Sequence, residues 1–163
     1  MTRMLVRDAH IHEMPSVGDL RVTTYVGQGL LAGDSDYVPT LHAIGASGDG
    51  TVLVAVDGDE IVGTATLMPF RESSEIALSA EETEIRALAV APAAQGRGVG
   101  RLLLRAVVDR AARDGARHLV LSTQPDMVAA QRMYASEGFA RLPERDWSPV
   151  PGLGLLCFGL RLS

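Results

Sequence analysis

The 163 residues suit one ordinary domain, and 47% apolar with 21% charged residues is a globular balance that excludes disorder and fibrous repeats. All 15 basic residues are arginine, which excludes every mechanism that needs an ε-amine: Schiff-base catalysis, pyridoxal-phosphate anchoring, the P-loop and the protein-kinase strand. The net charge of −5 hides an asymmetry, since residues 1–80 carry 4 Arg against 11 acids and residues 81–163 carry 11 Arg against 9.

In chain order, Asp19–Leu31 and Tyr37–Ala46 read as short helices separated by Gly33-Asp34-Ser35-Asp36. Thr51–Val56 and Glu60–Leu67 are β-rich runs joined at Asp57-Gly58-Asp59, a hairpin signal. Glu84–Val90 is a further apolar run that stops at Ala91-Pro92, where proline removes a ladder donor. From Gly98 the period changes. Val99, Leu102, Leu103, Ala106, Val107 and Ala111 predict a helix ending near Gly115, with Arg97, Arg101 and Arg105 on another face. His118–Ser122 reads as a strand and Met127–Glu137 as a helix stopped by Gly138. A Pro-rich loop then leads to a last strand, Leu155–Leu160. This order implies an α/β (α+β) fold, with helices layered on one mixed sheet.

A lone cysteine, Cys157, can close no internal disulfide and fits a reducing, cytoplasmic compartment. Arg3, Arg7 and Asp8 in the first eight residues, with no apolar run behind them, are unlike a secretory leader. The longest uncharged run, Trp147–Leu160, has 14 residues broken by Pro149, Pro151 and three glycines, too short to cross a bilayer. With neither repeat nor linker, one domain over residues 1–163 is expected.

Gln95-Gly96-Arg97-Gly98-Val99-Gly100 follows a strand and opens a helix, where main-chain amides lack helical partners and the dipole is positive. Arg97 and Arg101 oppose that dipole unless an anion offsets them. Six arginines between Gln95 and Arg117 against Asp109 and Asp114 form a local positive patch in an acidic chain, which suits a small polyanion better than nucleic acid. Gly96-x-Gly98 also begins a dinucleotide fingerprint, but the third glycine would fall at Arg101.

Three segments in register, Glu84-Ile-Arg-Ala-Leu-Ala-Val-Ala-Pro92, Gln95-x-x-Gly98-x-Gly100 and Ala130-x-x-x-Tyr134-x-x-x-Gly138-Phe139, resemble successive motifs of the GNAT acyltransferase superfamily. The resemblance implies a mixed, mostly antiparallel twisted sheet flanked by helices, and acetyl coenzyme A as cofactor. It places the pyrophosphate on Gln95, Gly96, Arg97, Gly98, Val99, Gly100 and Arg101, and the pantetheine arm along Leu88, Ala89 and Val90 on the family's fourth strand. The family position seven residues before the tyrosine commonly holds asparagine and here holds Met127; Met127 and Ala130 complete the implied cofactor contacts. The implied reaction passes an acetyl group directly to a primary amine.

Such a transfer needs a base for the ammonium, a donor for the oxyanion and an acid for the thiolate. Glu84 is the candidate base, acting through water, with an ion pair to Arg86 or plain strand-edge solvation as alternatives. Tyr134 is the candidate acid, with a core tyrosine as alternative. A backbone N–H near Val90 is the candidate oxyanion donor, best exposed by a bulge there. The acidic first half, with Asp34, Asp36 and Tyr37 in one loop, leans toward a cationic amine. A small-molecule amine is the first acceptor and a peptide or protein amine the second, for a monomer or homodimer with no nucleic-acid or membrane partner. A non-catalytic acyl-coenzyme A sensor is the alternative reading of the same motifs. His10-Ile-His12 lacks a third metal ligand, His42 and His118 read as structural, and Cys157 reads as core. Trp147 either walls the acceptor pocket or pins its loop.

Overall fold

The computed structural model describes residues 4–162, so Arg3 lies outside the described residues. Eight strands form one sheet in the order β1-β2-β3-β4-β5-β8-β6, with β7 paired to β8 off that path. They are β1 Met4–Asp8, β2 Thr51–Asp57, β3 Glu60–Pro69, β4 Glu82–Val90, β5 His118–Thr123, β6 Ala140–Arg141, β7 Trp147–Val150 and β8 Leu153–Arg161. The helices are α1 Met14–Gly27, α2 Val38–Ala43, α3 Val99–Arg113 and α4 Val128–Ser136. The β4–β5 pairing is parallel, whereas β1–β2, β2–β3, β5–β8, β6–β8 and β7–β8 are antiparallel. The expected mixed, mostly antiparallel sheet with flanking helices is therefore present.

Two compact units divide the chain. One takes the described residues up to Met68 with Arg86–Asp109; the other takes Pro69–Ile85 with the described residues from Arg110 on.

In the first unit, β2 and β3 form the expected hairpin, with Asp57 paired to Glu60. Gly58, at φ 63, takes the first of the two turn positions, as a type II′ connection requires. Val17 of α1 packs with Val52, Val54 and Val56 of β2 to make this unit's apolar cluster. The N-terminal part of α3 lies close over Gly63 of β3. A Cβ there would stand 2.9 Å from Val99 and 2.8 Å from Leu103. Both side chains are buried, as are Leu104, Val107 and Ala111. The sequence reading placed Leu102 on this face, but Leu102 is 37% exposed and Leu104 takes its place.

Two further expectations are corrected here. The first helix begins at Met14, with Pro15 in its opening turn, and ends at Gly27 rather than running over Asp19–Leu31. Its buried residues are Val17, Gly18, Arg21 and Thr24, a mostly non-apolar stripe that hides the helical period. The second helix is the six-residue α2, shorter than Tyr37–Ala46. Arg21 explains where it stops. Its buried guanidinium donates to the carbonyls of Leu41, His42 and Ile44 at 3.2, 3.3 and 2.8 Å, and to Thr66 Oγ1 at 2.9 Å, tying α1 to the end of α2 and to β3.

In the second unit, Ile76, Val120 and Cys157 form the apolar cluster, with Leu142 and Trp147 packed against it. Of the two readings of Trp147, this is the pinning one. Strands β1, β6 and β7 were not anticipated. β1 is a sheet edge with one neighbour and a half-polar sequence, while β6 and β7 are short segments either side of the turn Pro143–Arg145.

Candidate active site

β4 collects the residues that the sequence singled out, and its two acids, Glu82 and Glu84, are both buried in the second unit. Glu84 Oε1 accepts the main-chain N–H groups of Ile76 and Ala77, each at 2.7 Å. Two amides on one oxygen fix the carboxylate's orientation and give the segment before β4 its anchor. The anticipated alternative partner, Arg86, instead donates Nη2 to the Tyr37 hydroxyl at 2.9 Å.

Glu82 is the centre of a network that sequence reasoning missed. Arg145 grips it bidentately, Nη1 to Oε1 at 2.9 Å and Nη2 to Oε2 at 2.7 Å. His118 Nδ1 lies 2.8 Å from Oε2, and the Leu78 amide donates to Oε1 at 2.9 Å. Burial works to raise the Glu82 carboxyl, but Arg145, the Leu78 amide and His118 outweigh it and hold it down at about 2. The His118 ring sits against Gly159 of β8, where a Cβ would stand 2.5 Å from Nε2. Cys157 is buried as expected; burial pushes its thiol up to about 11, and Sγ donates to the Arg145 carbonyl at 3.1 Å. Such a thiol is a poor nucleophile.

In the first unit, β4 is distorted. Ala87 has φ 55, the one positive value for a non-glycine among the described residues, at a cost of roughly 1–2 kcal/mol. The expected irregularity near Val90 thus falls three residues earlier. β4 pairs with β5 over Glu82–Glu84. The Val90 carbonyl accepts Gln95 Nε2 at 3.2 Å, and the Ala91 amide donates to the Val62 carbonyl at 2.8 Å.

Beyond β4 the chain makes one turn of 3-10 helix, Pro92–Ala94, and enters the glycine loop. Gly96 and Gly98 both stand at φ 80, with no atom within 4 Å of where a Cβ would be. These are left-handed positions in open space, where any residue other than glycine is strained. The Leu102 amide bonds to the Gly98 carbonyl at 3.0 Å, so the amides of Val99, Gly100 and Arg101 precede the helical ladder of α3. A left-handed glycine turn followed by that run of amides at the start of a helix fits a phosphate group. Arg97 is not held in reserve for it: Nη2 pairs with Asp57 Oδ2 in the β2–β3 turn at 3.0 Å.

The remaining site residues lie in the second unit on α4. Tyr134 is 5% exposed, its ring 6.0 Å from that of Phe139 and 5.8 Å from that of Phe158. Met127 occupies the N-cap without a capping hydrogen bond; its sulfur accepts the Thr123 hydroxyl at 3.4 Å. Gln131 ties the turn instead, donating to the carbonyls of Gln124 and Pro125 at 3.2 and 2.9 Å. Ala130 is half-buried on the same helix.

A parallel contact at the start of β4, a kink at Ala87 and a glycine loop opening α3 distinguish this mixed fold. The chain superposes on an acetyltransferase of the GNAT family from Staphylococcus aureus Mu50 with a TM-score of 0.76 at 16% identity, covering 99% of this chain and 100% of that one. It likewise superposes on YncA of Salmonella typhimurium, solved with its cofactor acetyl-CoA, with a TM-score of 0.73 at 22% identity over 98% and 94% of the two chains. The family model for the acetyltransferase (GNAT) family matches residues 19–139, and the chain belongs to that family. It is 38% identical over 104 residues to the N-alpha-acetyltransferase RimI of Mycobacterium tuberculosis, 64% of this chain and 55% of RimI, so the match spans about half of that relative's length. No helix among the described residues is long and apolar enough to cross a membrane.

Proposed function

We propose that this chain transfers an acetyl group from acetyl coenzyme A directly to a small primary amine. One observation carries the reading: two left-handed glycines with open space at their Cβ positions turn the chain just before Val99, Gly100 and Arg101, whose amides precede the helical ladder of α3. In this reading those amides and the loop Gln95–Gly98 hold the pyrophosphate. Leu88, Ala89 and Val90 receive the pantetheine arm beyond the Ala87 kink, and the family resemblance adds Met127 and Ala130 to the cofactor contacts. Bound acetyl coenzyme A supplies an activated thioester. Glu84 takes the ammonium proton through a water at its second oxygen, and Tyr134 gives its hydroxyl proton to the departing sulfur. An amide near Val90 steadies the oxyanion.

Gly98→Val places a β-branched residue at a left-handed position and forces the loop to move, so the dissociation constant for acetyl coenzyme A, read by titration calorimetry, is expected to rise about 100-fold. An unchanged constant removes the loop from the site. A protein N-terminal amine is the second acceptor reading, favoured by the identity with RimI. The sensor reading draws on Glu84, which is buried and already engaged by two amides. Tyr134→Phe separates it from catalysis. An enzyme loses about 100-fold in kcat, measured as free thiol released with an amine panel, whereas a sensor has no turnover to lose.

A further inference from the structure

We propose that Asp57 is a built-in competitor for the glycine loop: its carboxylate pairs with Arg97, the cofactor's diphosphate has to compete for that arginine, and coenzyme A is therefore held less tightly than the loop alone would hold it. This rests on the reading of Gln95–Arg101 as the pyrophosphate site, and every residue it uses lies in the first unit. Arg97 Nη2 stands 3.0 Å from Asp57 Oδ2. Arg97 sits between Gly96 and Gly98, both left-handed at φ 80, in the middle of the turn that leads into α3. Asp57 closes β2 and pairs with Glu60 of β3 across the short hairpin turn, which fixes where the carboxylate is presented. The same hairpin holds the chain ahead of the loop, because the Ala91 amide donates to the Val62 carbonyl at 2.8 Å.

The physical reason for such a contact lies in the loop. An arginine just ahead of a helix opposes the positive end of the helix dipole, and an anion beside it reverses the sign. Asp57 is an anion of the chain's own in that role, a carboxylate doing for Arg97 what a phosphate would do. The consequence falls on binding. To a diphosphate at the amides of Val99, Gly100 and Arg101 the chain offers an arginine already neutralised, with a carboxylate of the ligand's own sign next to it. Exposure sets the size of the effect. The Arg97 side chain is 36% and the Asp57 side chain 25% exposed, so the pair is hydrated and weak, a contact that a multiply charged ligand displaces. It is a brake and not a lock. Its use is in turnover: spent coenzyme A carries the same diphosphate as acetyl coenzyme A, so a looser grip on that group speeds product departure.

The test is calorimetric titration of the full chain with coenzyme A. Asp57→Asn puts a residue that suits a tight turn before Gly58 and is expected to tighten the dissociation constant about fivefold. Damage to the loop or the hairpin weakens binding, so a tighter constant is a result that a merely structural role does not give. Asp57→Ser carries the same expectation and keeps the test open should the asparagine chain fold poorly. Asp59→Asn removes the same charge from the exposed side of the same turn and is expected to leave the constant within about twofold, since salt screens a charge that pairs with nothing in the loop. Arg97→Gln is expected to weaken binding, and Asp57→Asn added to it is expected to change nothing further, because no arginine is then left to release. Asp57→Asn and Asp57→Ser chains that bind no more tightly than the native chain overturn the brake, as does an Arg97→Gln chain that binds as the native chain does. Equal tightening from Asp59→Asn, or tightening by Asp57→Asn that survives in Arg97→Gln, makes the effect a general repulsion and overturns it too. In each of these the native chain still binds coenzyme A and the pyrophosphate reading stands. A native chain that takes up no coenzyme A is the distinct failure of that reading and ends both.

Discussion

Glu84→Gln is expected to lower kcat by about 100-fold or more while the fold survives, and Glu84→Ala is expected to damage both. The distinction comes from what Oε1 does. It accepts two buried amides, from Ile76 and Ala77, at 2.7 Å each. A glutamine carbonyl oxygen accepts the same two bonds from the same place, so thermal unfolding of Glu84→Gln should stay within a few degrees of the native chain. The amide has no basic oxygen from which a water can relay an ammonium proton, so turnover falls. Alanine removes the acceptor altogether and orphans two buried N–H groups, at a cost of about 1–3 kcal/mol each. That is a loss of Tm on the order of 5–20 °C for a chain of this size. Raising the pH separates the roles again. A fully deprotonated amine needs no base, so the kcat deficit of Glu84→Gln should narrow above pH 10, whereas an enzyme slowed by misplaced structure stays slow. A glutamine variant that turns over at the native rate makes Glu84 a strut for the Ile76–Ala77 segment and nothing more.

The hairpin, β4, β5, the amphipathic α3 and α4 and the glycine loop were legible because each carries a local signal: an Asp-Gly turn, a two- or four-residue period, a proline stop, glycines before a helix. What the sequence concealed depends on contacts made at a distance. α1 buries Gly18, Arg21 and Thr24 beside Val17, and a stripe of that composition has no apolar period to read. Leu102 and Leu104 are equivalent in kind, and only packing over Gly63 chooses between them. Nothing about alanine announces a left-handed residue at position 87, since the strain is imposed by what surrounds it. Glu84 was singled out as an acid on β4, but the amides it accepts lie seven and eight residues upstream in a segment without a motif. Arg97 was read as a cation awaiting an anion, and the hairpin turn supplies one in Asp57, 40 residues earlier. Arginine and tyrosine at 86 and 37 drew no joint attention because 49 residues separate them.

Glu82→Gln should unfold the protein at a temperature roughly 10 °C or more below the native chain at neutral pH. The carboxylate answers three donors from distant parts of that unit: Arg145 bidentately across 63 residues, His118 on β5, and the Leu78 amide. Glutamine fills the space but presents an N–H group to at least one of these donors and leaves the Arg145 guanidinium, 18% exposed, without its counter-charge. Breaking a buried pair from one side costs about 3–5 kcal/mol, chiefly through the charge left behind. The pH dependence is a second, independent reading of the same network. The ordinary carboxyl value is 4.5, and in the folded chain Glu82 is held at about 2. A depressed folded value means the stabilisation is fully present above pH 4.5 and is lost as the pH falls from there toward 2. The gap in urea midpoint between the native chain and Glu82→Gln should therefore be widest at neutral pH and close steadily on acidification. Arg145→Met removes the strongest donor to the carboxylate. The Glu82 value then moves up toward 4.5, so the variant loses less stability on acidification and finishes losing it at a higher pH than the native chain does. A gap between native and glutamine chains that stays constant from pH 7 to pH 3 would mean that Glu82 is not ionised in this network, and the link from Arg145 and β7 to β4 would then rest on packing alone.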